Sequence, residues 1–249
     1  MQTSGNTVLI TGGATGIGLG LAKAFKDAGN EVIICGRRES RLNEAEKQVP
    51  GIHTVVCNVA MGEERTNLAE WAYKNFPEVN ILINNAGVQK SINFDDPLDV
   101  NRRASEETEI NFIAPVHLAS LFIPLLSNKK EAAIINITSG LAFAPLAMYP
   151  VYCATKAAVH SFSLSLRHRL SGTSIKVFEL APPLVQTELK EPADNGFPQM
   201  NANGIPVQTF IDEAMDAIKN NKFEHAVGMA ENMRTKREEL FPVMNPPAK

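Results

Sequence analysis

The chain is poor in cysteine, and this scarcity argues against two kinds of site. Its 249 residues include three cysteines, Cys35, Cys57 and Cys153. An odd and sparse set favours a reducing, cytoplasmic compartment over a disulfide scaffold. The sequence also lacks a CxxC pair and an HExxH helix, and its five histidines are scattered. We therefore expect no metal site.

Charge imbalance and long apolar runs are missing as well. The 24 basic and 27 acidic side chains leave a formal charge of −3, which indicates neither nucleic acid nor an anionic membrane as a partner. Residues 1–6 are polar and uncharged, unlike a secretory signal. No uninterrupted apolar stretch reaches the length of a membrane span. With 44% apolar residues, the composition is typical of a soluble globular protein with a sizeable core.

What the chain does contain is an alternation of short apolar runs and longer amphipathic segments. We predict strands at Thr7–Thr11, Glu31–Cys35, His53–Cys57, Asn80–Ile83, Ala133–Thr138, Ile175–Leu180 and, more weakly, His225–Gly228. Helical patterns lie near residues 16–29, 38–48, 62–76, 103–127, 151–171 and 207–221. The alternation predicts an α/β fold, with right-handed βαβ units in a doubly wound parallel sheet covered by helices on both faces. No linker divides residues 1–249, which we interpret as one domain.

The segment from Pro182 to Val207 is the irregular part of the pattern. It contains five prolines and two glycines, and it follows the sixth predicted strand, at the edge where ligands of open α/β sheets bind. Long loops in compact domains are usually functional or disordered. We interpret the segment (182–207) as a substrate lid, whose Phe197, Met200 and Ile205 indicate a moderately apolar substrate. A surface loop without function is the alternative.

A glycine-rich turn, TGGATGIG, follows the first predicted strand and opens the first helix. Gly12 permits a sharp turn, Gly16 lets the backbone approach a pyrophosphate, and Gly18 lets the helix pack tightly on the sheet. The amides and the dipole of a helix N-terminus favour phosphate charges. The GxxxGxG spacing differs from the GxGxxG fingerprint, and a turn without a ligand is the alternative. The position on the first strand and helix favours a nucleotide site.

The second predicted strand ends in CGRR, with no carboxylate before Glu39. An NAD site places an Asp or Glu about 20 residues after the glycines. An arginine instead binds a 2′-phosphate that a carboxylate would repel. Arg37 and Arg38 therefore favour NADP(H) over NAD(H) as the cofactor, unless they merely begin a solvated helix. Thr15 is neutral where a second basic group could help.

Tyr152 and Lys156 lie four residues apart in a strongly helical segment, on one face of the helix. A tyrosine titrates near pH 10, too high for an efficient base at neutral pH, and a nearby ammonium lowers its pKa. Ser139 ends a buried predicted strand, where its hydroxyl could hold a carbonyl oxygen. Tyr149 competes with Tyr152, but Pro150 follows it and the lysine is then seven residues away. An interfacial tyrosine beside a surface lysine is the alternative.

Asn111 lies within a long apolar helical pattern. A buried amide needs hydrogen-bond partners. It could anchor a water that passes protons to Lys156, or it could be a polar residue of helix packing.

In this order and spacing, these features resemble the single-domain branch of the short-chain dehydrogenases/reductases. The motifs are TGGATGIG, Asn84-Asn85-Ala86-Gly87, Asn111, Ser139, Tyr152 and Lys156. The resemblance implies a Rossmann-type, three-layer α/β/α fold with strand order 3-2-1-4-5-6-7. More loosely, the chain is similar to bacterial oxidoreductases associated with D-alanyl lipoteichoic acid gene clusters, which does not establish a substrate.

The resemblance also implies roles for individual residues. Tyr152 would be the general acid/base, and Lys156 would bind the nicotinamide ribose and lower the tyrosine pKa. Ser139 would polarise the substrate oxygen, and Asn111 would support the proton relay. Cofactor contacts would come from Gly12, Thr15, Gly16, Ile17, Gly18, Arg37, Arg38, Asn58, Val59, Asn85, Ala86, Gly87, Tyr152, Lys156, Val185 and Thr187.

Two positions depart from the family pattern. Asn58 stands where an Asp usually contacts adenine, and an amide can still make that hydrogen bond. Pro183 stands where a glycine is common, which fixes φ and removes a donor. Contacts of Val185 and Thr187 with the carboxamide and phosphates are therefore the least secure of the implied set.

The resemblance implies hydride transfer between a nicotinamide cofactor and a small carbonyl or alcohol substrate. One alternative is a catalytically silent nucleotide-binding sensor or scaffold, although such proteins typically lose the tyrosine or lysine. A sugar epimerase or dehydratase of the longer branch is disfavoured by the glycine spacing and by the lack of a large C-terminal substrate domain.

The helices that carry Asn111 and Tyr152 are rich in apolar residues, which favours a homodimer or homotetramer. Burial inside one chain is the alternative. The candidate residues are Ile113, Leu118, Leu121, Phe122, Phe162, Leu164 and Leu166.

Overall fold

A seven-stranded sheet forms the centre of the fold in a computed structural model that describes residues 1–187 and 204–246. All its strands are parallel and pair in the order β3-β2-β1-β4-β5-β6-β7. The predicted strand order and doubly wound arrangement are therefore confirmed. The strands are β1 (Thr7–Thr11), β2 (Glu31–Gly36), β3 (His53–Val56), β4 (Val79–Asn84), β5 (Ala132–Ile137), β6 (Ile175–Ala181) and β7 (Glu224–Ala226).

The sheet needs cover on both faces because its central strands are apolar on both. In β1, Val8 and Ile10 belong to one core and Leu9 to the other. Every residue of β5 is buried. Strands with no polar face are typical of parallel sheets enclosed by helices.

Helices supply that cover as two outer layers. They are α1 (Gly16–Asp27), α2 (Glu39–Gln48), α3 (Gly62–Asn75), α4 (Pro97–Thr108), α5 (Ala114–Leu126), α6 (Pro150–Arg169), α7 (Val207–Lys219), α8 (Met229–Lys236) and α9 (Phe241–Met244). Helices α1, α2 and α7 contribute to one core, and α3, α5 and α6 to the other. A 3₁₀ turn at Gly140–Ala142 follows β5, and a second at Arg237–Leu240 joins α8 to α9.

The helix that carries Asn111 begins earlier than the sequence predicted. Its first segment starts at Pro97, because the Asp96 carboxylate accepts hydrogen bonds from the amides of Leu98 and Asp99. Asp before Pro at the first helical position is a strong start signal, and the prediction of a start near residue 103 was wrong. A π-helical turn, Glu109–Ile113, then joins α4 to α5.

The continuous stretch Pro97–Leu126 is long and apolar enough to cross a membrane by length and composition. The sequence analysis did not anticipate this. In the folded chain, Leu118, Phe122 and Leu126 are buried against the sheet. Packing in the core accounts for the apolar character of this stretch.

The apolar residues considered for subunit contacts divide between core and surface. Leu118 and Phe122 are buried, whereas Ile113 and Leu164 are exposed. The other three pack at the margin of the second core: Leu121, Phe162 and Leu166. Association of subunits stays a prediction.

The segment predicted to be a substrate lid is described only at its two ends. Val185 and Ile205 form a parallel β-bridge. The Ile205 amide donates to the Leu184 carbonyl (2.9 Å), and the Gln186 amide donates to the Ile205 carbonyl (3.0 Å). Phe197 and Met200 lie outside the described residues.

Replacement of Gly18 by alanine tests how tightly α1 packs on the turn before it. The added Cβ would overlap the carbonyl of Gly12 and lie 2.5 Å from the Asn85 side-chain nitrogen. Overpacking of this kind costs about 1–3 kcal/mol. We expect Gly18→Ala to lower the free energy of unfolding by this amount in urea denaturation. Gly172→Ala is the control, since no atom lies within 4 Å of its added Cβ; equal losses in both variants would contradict the tight packing.

Candidate active site

The carboxyl ends of the strands open into a cleft of about 460 Å³. Most residues with a predicted cofactor contact line it: Gly12, Thr15, Gly16, Ile17, Arg37, Arg38, Asn58, Val59, Asn85, Ala86, Gly87, Tyr152, Lys156 and Thr187. Two do not. Gly18 packs beneath the turn, and Val185 is buried beside Ile205. The structure thus brings together residues that are widely separated in sequence.

The glycine-rich turn has the geometry that a phosphate site needs. Gly12 and Gly16 have φ values of +63° and +55°, which side chains with a Cβ rarely adopt. A Cβ on Gly12 would also lie 2.8 Å from the Ala86 backbone. The Thr15 side chain does not cap α1, and the first amides of a helix have no partner within it. The turn therefore fits the phosphates of a dinucleotide.

Asn85 holds the turn in place. Its side-chain nitrogen donates to the carbonyls of Thr11 and Gly12, each at 3.0 Å. The Thr11 hydroxyl accepts from the amides of Asn85 and Ala86, each at 3.1 Å. Asn85 therefore ties β4 to the turn after β1. The sequence analysis named Asn85 but missed Thr11, whose signal is its position at the end of β1.

The basic end of the cleft contains a carboxylate that the sequence analysis missed. Glu106 on α4 forms an ion pair with Lys90 and lies 3.7 Å from the Arg37 guanidinium. The hydrogen bond from Lys90 holds the pKa of Glu106 below its ordinary value. Arg41 also lines this end of the cleft. The sequence around β2 gives no sign of this carboxylate, because Glu106 comes from α4, which is distant in sequence.

Ser139, Tyr152 and Lys156 converge beside the cleft. Ser139 follows β5, and its Oγ accepts a hydrogen bond from the Leu141 amide (3.1 Å). Tyr152 and Lys156 occupy the first two turns of α6, and Lys156 Nζ lies 5.7 Å from the centre of the Tyr152 ring. The same Nζ donates to the Ile137 carbonyl at 2.9 Å. Tyr149 precedes α6 and packs, partly buried, against the small apolar cluster formed by Leu146, Tyr152 and Cys153.

Burial controls the titration of this group. It raises the pKa of the Tyr152 phenol above its ordinary value, and a hydrogen bond with Ser139 opposes this only in part. The expected lowering of the Tyr152 pKa by Lys156 is therefore not seen, since desolvation of the phenolate outweighs other effects. Burial also lowers the pKa of Lys156 to about 8, against the attraction of the Glu107 and Glu179 carboxylates. The lysine remains largely protonated at neutral pH.

Asn111 sits in the π-helical turn and holds the loop after β4. Its Oδ1 accepts from the Val88 amide, and its Nδ2 donates to the Val88 carbonyl, each at 2.9 Å. Nδ2 also donates to the Thr155 hydroxyl at 3.2 Å. A Cβ on Gly87 would lie 3.4 Å from Asn111 Oδ1 and 3.6 Å from Lys156 Nζ. The absence of that Cβ leaves space between the amide and the ammonium, as a water-mediated relay requires. The sequence did not predict that Asn111 binds both the amide and the carbonyl of Val88.

Comparisons with known proteins agree with this geometry. The family profile described as "short chain dehydrogenase" matches residues 6–196. The chain is 49% identical over 249 residues to the uncharacterized oxidoreductase DltE of Bacillus subtilis (strain 168), and the match covers 98% of each.

Solved structures show the same fold. A short chain dehydrogenase from Burkholderia cenocepacia J2315 in complex with NADP has a TM-score of 0.81 at 25% identity, covering 95% of this chain and 94% of that one. A short chain dehydrogenase/reductase from Burkholderia phymatum in complex with NAD has a TM-score of 0.85 at 20% identity, covering 100% and 98%.

The resemblance inferred from the sequence is therefore confirmed, including the similarity to DltE-type bacterial oxidoreductases. Because the profile spans most of the chain and carries both the glycine turn and the Ser-Tyr-Lys group, the chain belongs to the short-chain dehydrogenase/reductase family of oxidoreductases.

Proposed function

We propose that the protein transfers a hydride between a nicotinamide dinucleotide and a carbonyl or alcohol substrate, with Tyr152 as the general acid/base. One observation carries the proposal. Tyr152 and Lys156 line a cleft whose glycine turn suits a dinucleotide, and Ser139 is joined to Tyr152 by a hydrogen bond. The Burkholderia relatives bound to NADP or NAD support this choice of cofactor.

Ser139, Tyr152 and Lys156 have different roles at the substrate oxygen. A nicotinamide bound in the cleft beside Tyr152 and Lys156 would supply or accept the hydride at the substrate carbon. In the reductive direction, the Tyr152 phenol donates its proton to the oxygen, which becomes a hydroxyl, while Ser139 holds that oxygen by a hydrogen bond. The Lys156 ammonium stabilises the phenolate that remains. Oxidation reverses each transfer.

The protonation state of Tyr152 at neutral pH suits the reductive direction. A buried phenol that keeps its proton at neutral pH is already in the donating form. In the oxidative direction the same phenol has to lose its proton first. This asymmetry supports a carbonyl compound as the substrate to test first.

The charges around Arg37 support a preference for NADP(H). Arg37, Arg38 and Arg41 all line the cleft, and guanidinium groups bind phosphate through paired hydrogen bonds. The negative charge of Glu106 partly offsets them, but Glu106 also forms an ion pair with Lys90. Glu44 forms an ion pair with Arg41 (3.0 Å). With Lys90 included, four cationic side chains face the two carboxylates of Glu44 and Glu106, so the balance at this end of the cleft stays positive.

Tyr152→Phe tests the proposed acid/base role. It removes one hydroxyl from a buried ring, and loss of general acid/base catalysis costs about 10²–10⁴-fold in rate. We expect a fall of that size in NADPH oxidation, followed by absorbance with a panel of carbonyl compounds. NADPH affinity, measured by fluorescence titration, should stay nearly unchanged.

Tyr149→Phe is the matched control and should keep most of the activity, since Tyr149 does not line the cleft. Undiminished turnover in Tyr152→Phe would refute the role of Tyr152. Tight NADPH binding by the unsubstituted protein without turnover of any compound would instead favour a silent nucleotide-binding protein.

Arg37→Gln tests the cofactor preference. Hydrogen bonds to charged groups contribute about 1.5–3 kcal/mol, so the dissociation constant for NADPH should rise by roughly 10- to 100-fold. The constant for NADH should hardly change. Arg169→Gln, at an exposed position on α6, is the control. A tighter complex with NADH than with NADPH in the unsubstituted protein would overturn the preference.

A further inference from the structure

A charged cluster lies one helical turn beyond Lys156 along α6. His160, Glu179 and Glu224 bring one ligand-type atom each within 4.8 Å of one another, on α6, β6 and β7. Each of the three side chains already has a hydrogen-bond or ion-pair partner. His160 Nδ1 lies 2.8 Å from Glu179 Oε2, and the Arg234 guanidinium lies 3.3 Å from Glu224 Oε1. The cluster is therefore better described as a set of direct ion pairs than as a metal site.

Glu179 connects this cluster to the active site. Its side chain is fully buried, with 0% exposure. The Thr138 hydroxyl donates to Glu179 Oε1 at 2.8 Å. Thr138 stands between Ile137, whose carbonyl accepts from Lys156, and Ser139. The Thr138 side chain thus adds a buried hydrogen bond to the main-chain bonds that Thr138 and Gly140 donate to Leu180 and Pro182. Together they hold the short segment that places both the ammonium and the catalytic hydroxyl.

The contacts close into a ring. Lys156 and His160 are four residues apart and lie on one face of α6. From Lys156, contacts run to the Ile137 carbonyl and along the chain to Thr138. From Thr138 they pass through Glu179 to His160 and return along the helix. Such a ring restricts both the sliding of α6 along the sheet and its rotation about the helix axis at the end of β5.

We propose that His160 and Glu179 are positioning residues that hold Ser139 and Lys156 in their working geometry through Thr138. The proposal deepens the proposed function and rests on it for its kinetic readout. A buried carboxylate is costly unless it is paired and hydrogen-bonded. Both oxygens of Glu179 have hydrogen-bond partners, one from Thr138 after β5 and one from His160 on α6. We call this Thr138–Glu179–His160 link the brace, since it joins the end of β5 to α6.

The strength of this brace depends on the charge of His160. Groups from every neighbouring element face it: Glu179 on β6, Glu224 on β7 with its partner Arg234 on α8, and Arg237 after α8. The hydrogen bond to Glu179 raises the pKa of His160 above its ordinary value. The ion pair therefore stabilises the fold fully below about pH 6.5, the ordinary histidine value. This contribution is lost as the pH rises through the higher pKa of the folded state.

Substitution of Thr138 separates positioning from folding. Thr138→Val keeps the shape of the side chain but loses the bond to Glu179. We expect kcat to fall by about 10- to 100-fold, as small misplacements of catalytic groups do, with KM for NADPH little changed. Thr138→Ser should restore most of kcat. Lower thermal stability with unchanged kcat, measured well below the melting temperature, would show a purely structural role and overturn the proposal.

The pH dependence gives a second readout. In His160→Gln, a neutral residue replaces the titrating partner. The part of the fall in kcat that follows the His160 pKa should therefore disappear, whereas the part that follows Lys156, whose pKa is about 8, should remain. His168→Gln, at an exposed position on the same helix, should leave the profile unchanged. Identical profiles in His160→Gln and the unsubstituted enzyme would contradict the proposal. So would activity that a chelator removes and Zn²⁺ restores, since this would indicate a metal at the cluster.

A readout without turnover keeps the two proposals distinguishable. NMR titration with ¹³C-labelled lysine follows the Lys156 pKa directly. We expect Thr138→Val and Glu179→Gln both to shift it relative to the unsubstituted protein. A shift of the Lys156 pKa in these variants, without hydride transfer by the unsubstituted protein, would support the positioning role and contradict the proposed function. Hydride transfer with an unchanged Lys156 pKa in both variants would support the proposed function and contradict the positioning role.

Discussion

The burial of one ammonium group is the constraint on which the active site depends. Lys156 is 5% exposed, and a charge removed from water has to be compensated by nearby polar groups. The Ile137 carbonyl accepts its hydrogen bond, and the carboxylates of Glu107 and Glu179 favour its charged form. These partners come from α4, β5 and β6. The lysine can therefore keep its proton only where three elements meet as they do here.

The docking of α6 on the sheet uses polar contacts where apolar ones would be expected. Asn84 on β4 donates to Asn136 on β5, which in turn donates to the Ser163 hydroxyl on α6. Side-chain hydrogen bonds require particular partners and distances, whereas apolar contacts tolerate sliding. This second polar chain, one helical turn beyond His160, therefore fixes the register of α6. Asn84 Oδ1 itself has no hydrogen-bond partner among the described residues.

The sheet and the positions of Ser139, Tyr152 and Lys156 were predictable from the sequence because local patterns encode them. Buried parallel strands read as continuous apolar runs, and their ends mark the edge where Ser139 lies. The π-helical turn around Asn111, the ion pair of Lys90 with Glu106 and the raised pKa of Tyr152 were not predictable. Each depends on contacts between elements distant in sequence, or on how far a group is withdrawn from water. The start of α4 was readable from Asp96-Pro97 and was overlooked.

The β-bridge between Val185 and Ile205 has a consequence for the way the length of the chain can vary in relatives. The bridge joins the two ends of the intervening segment beside the first core. A change in the length of that segment therefore need not disturb the packing of the core. Doubling the length of such a connection costs only about 0.6 kcal/mol in closure entropy. Descendants of one ancestor can therefore lengthen, shorten or rewrite that segment while the chemistry at the strand ends stays the same.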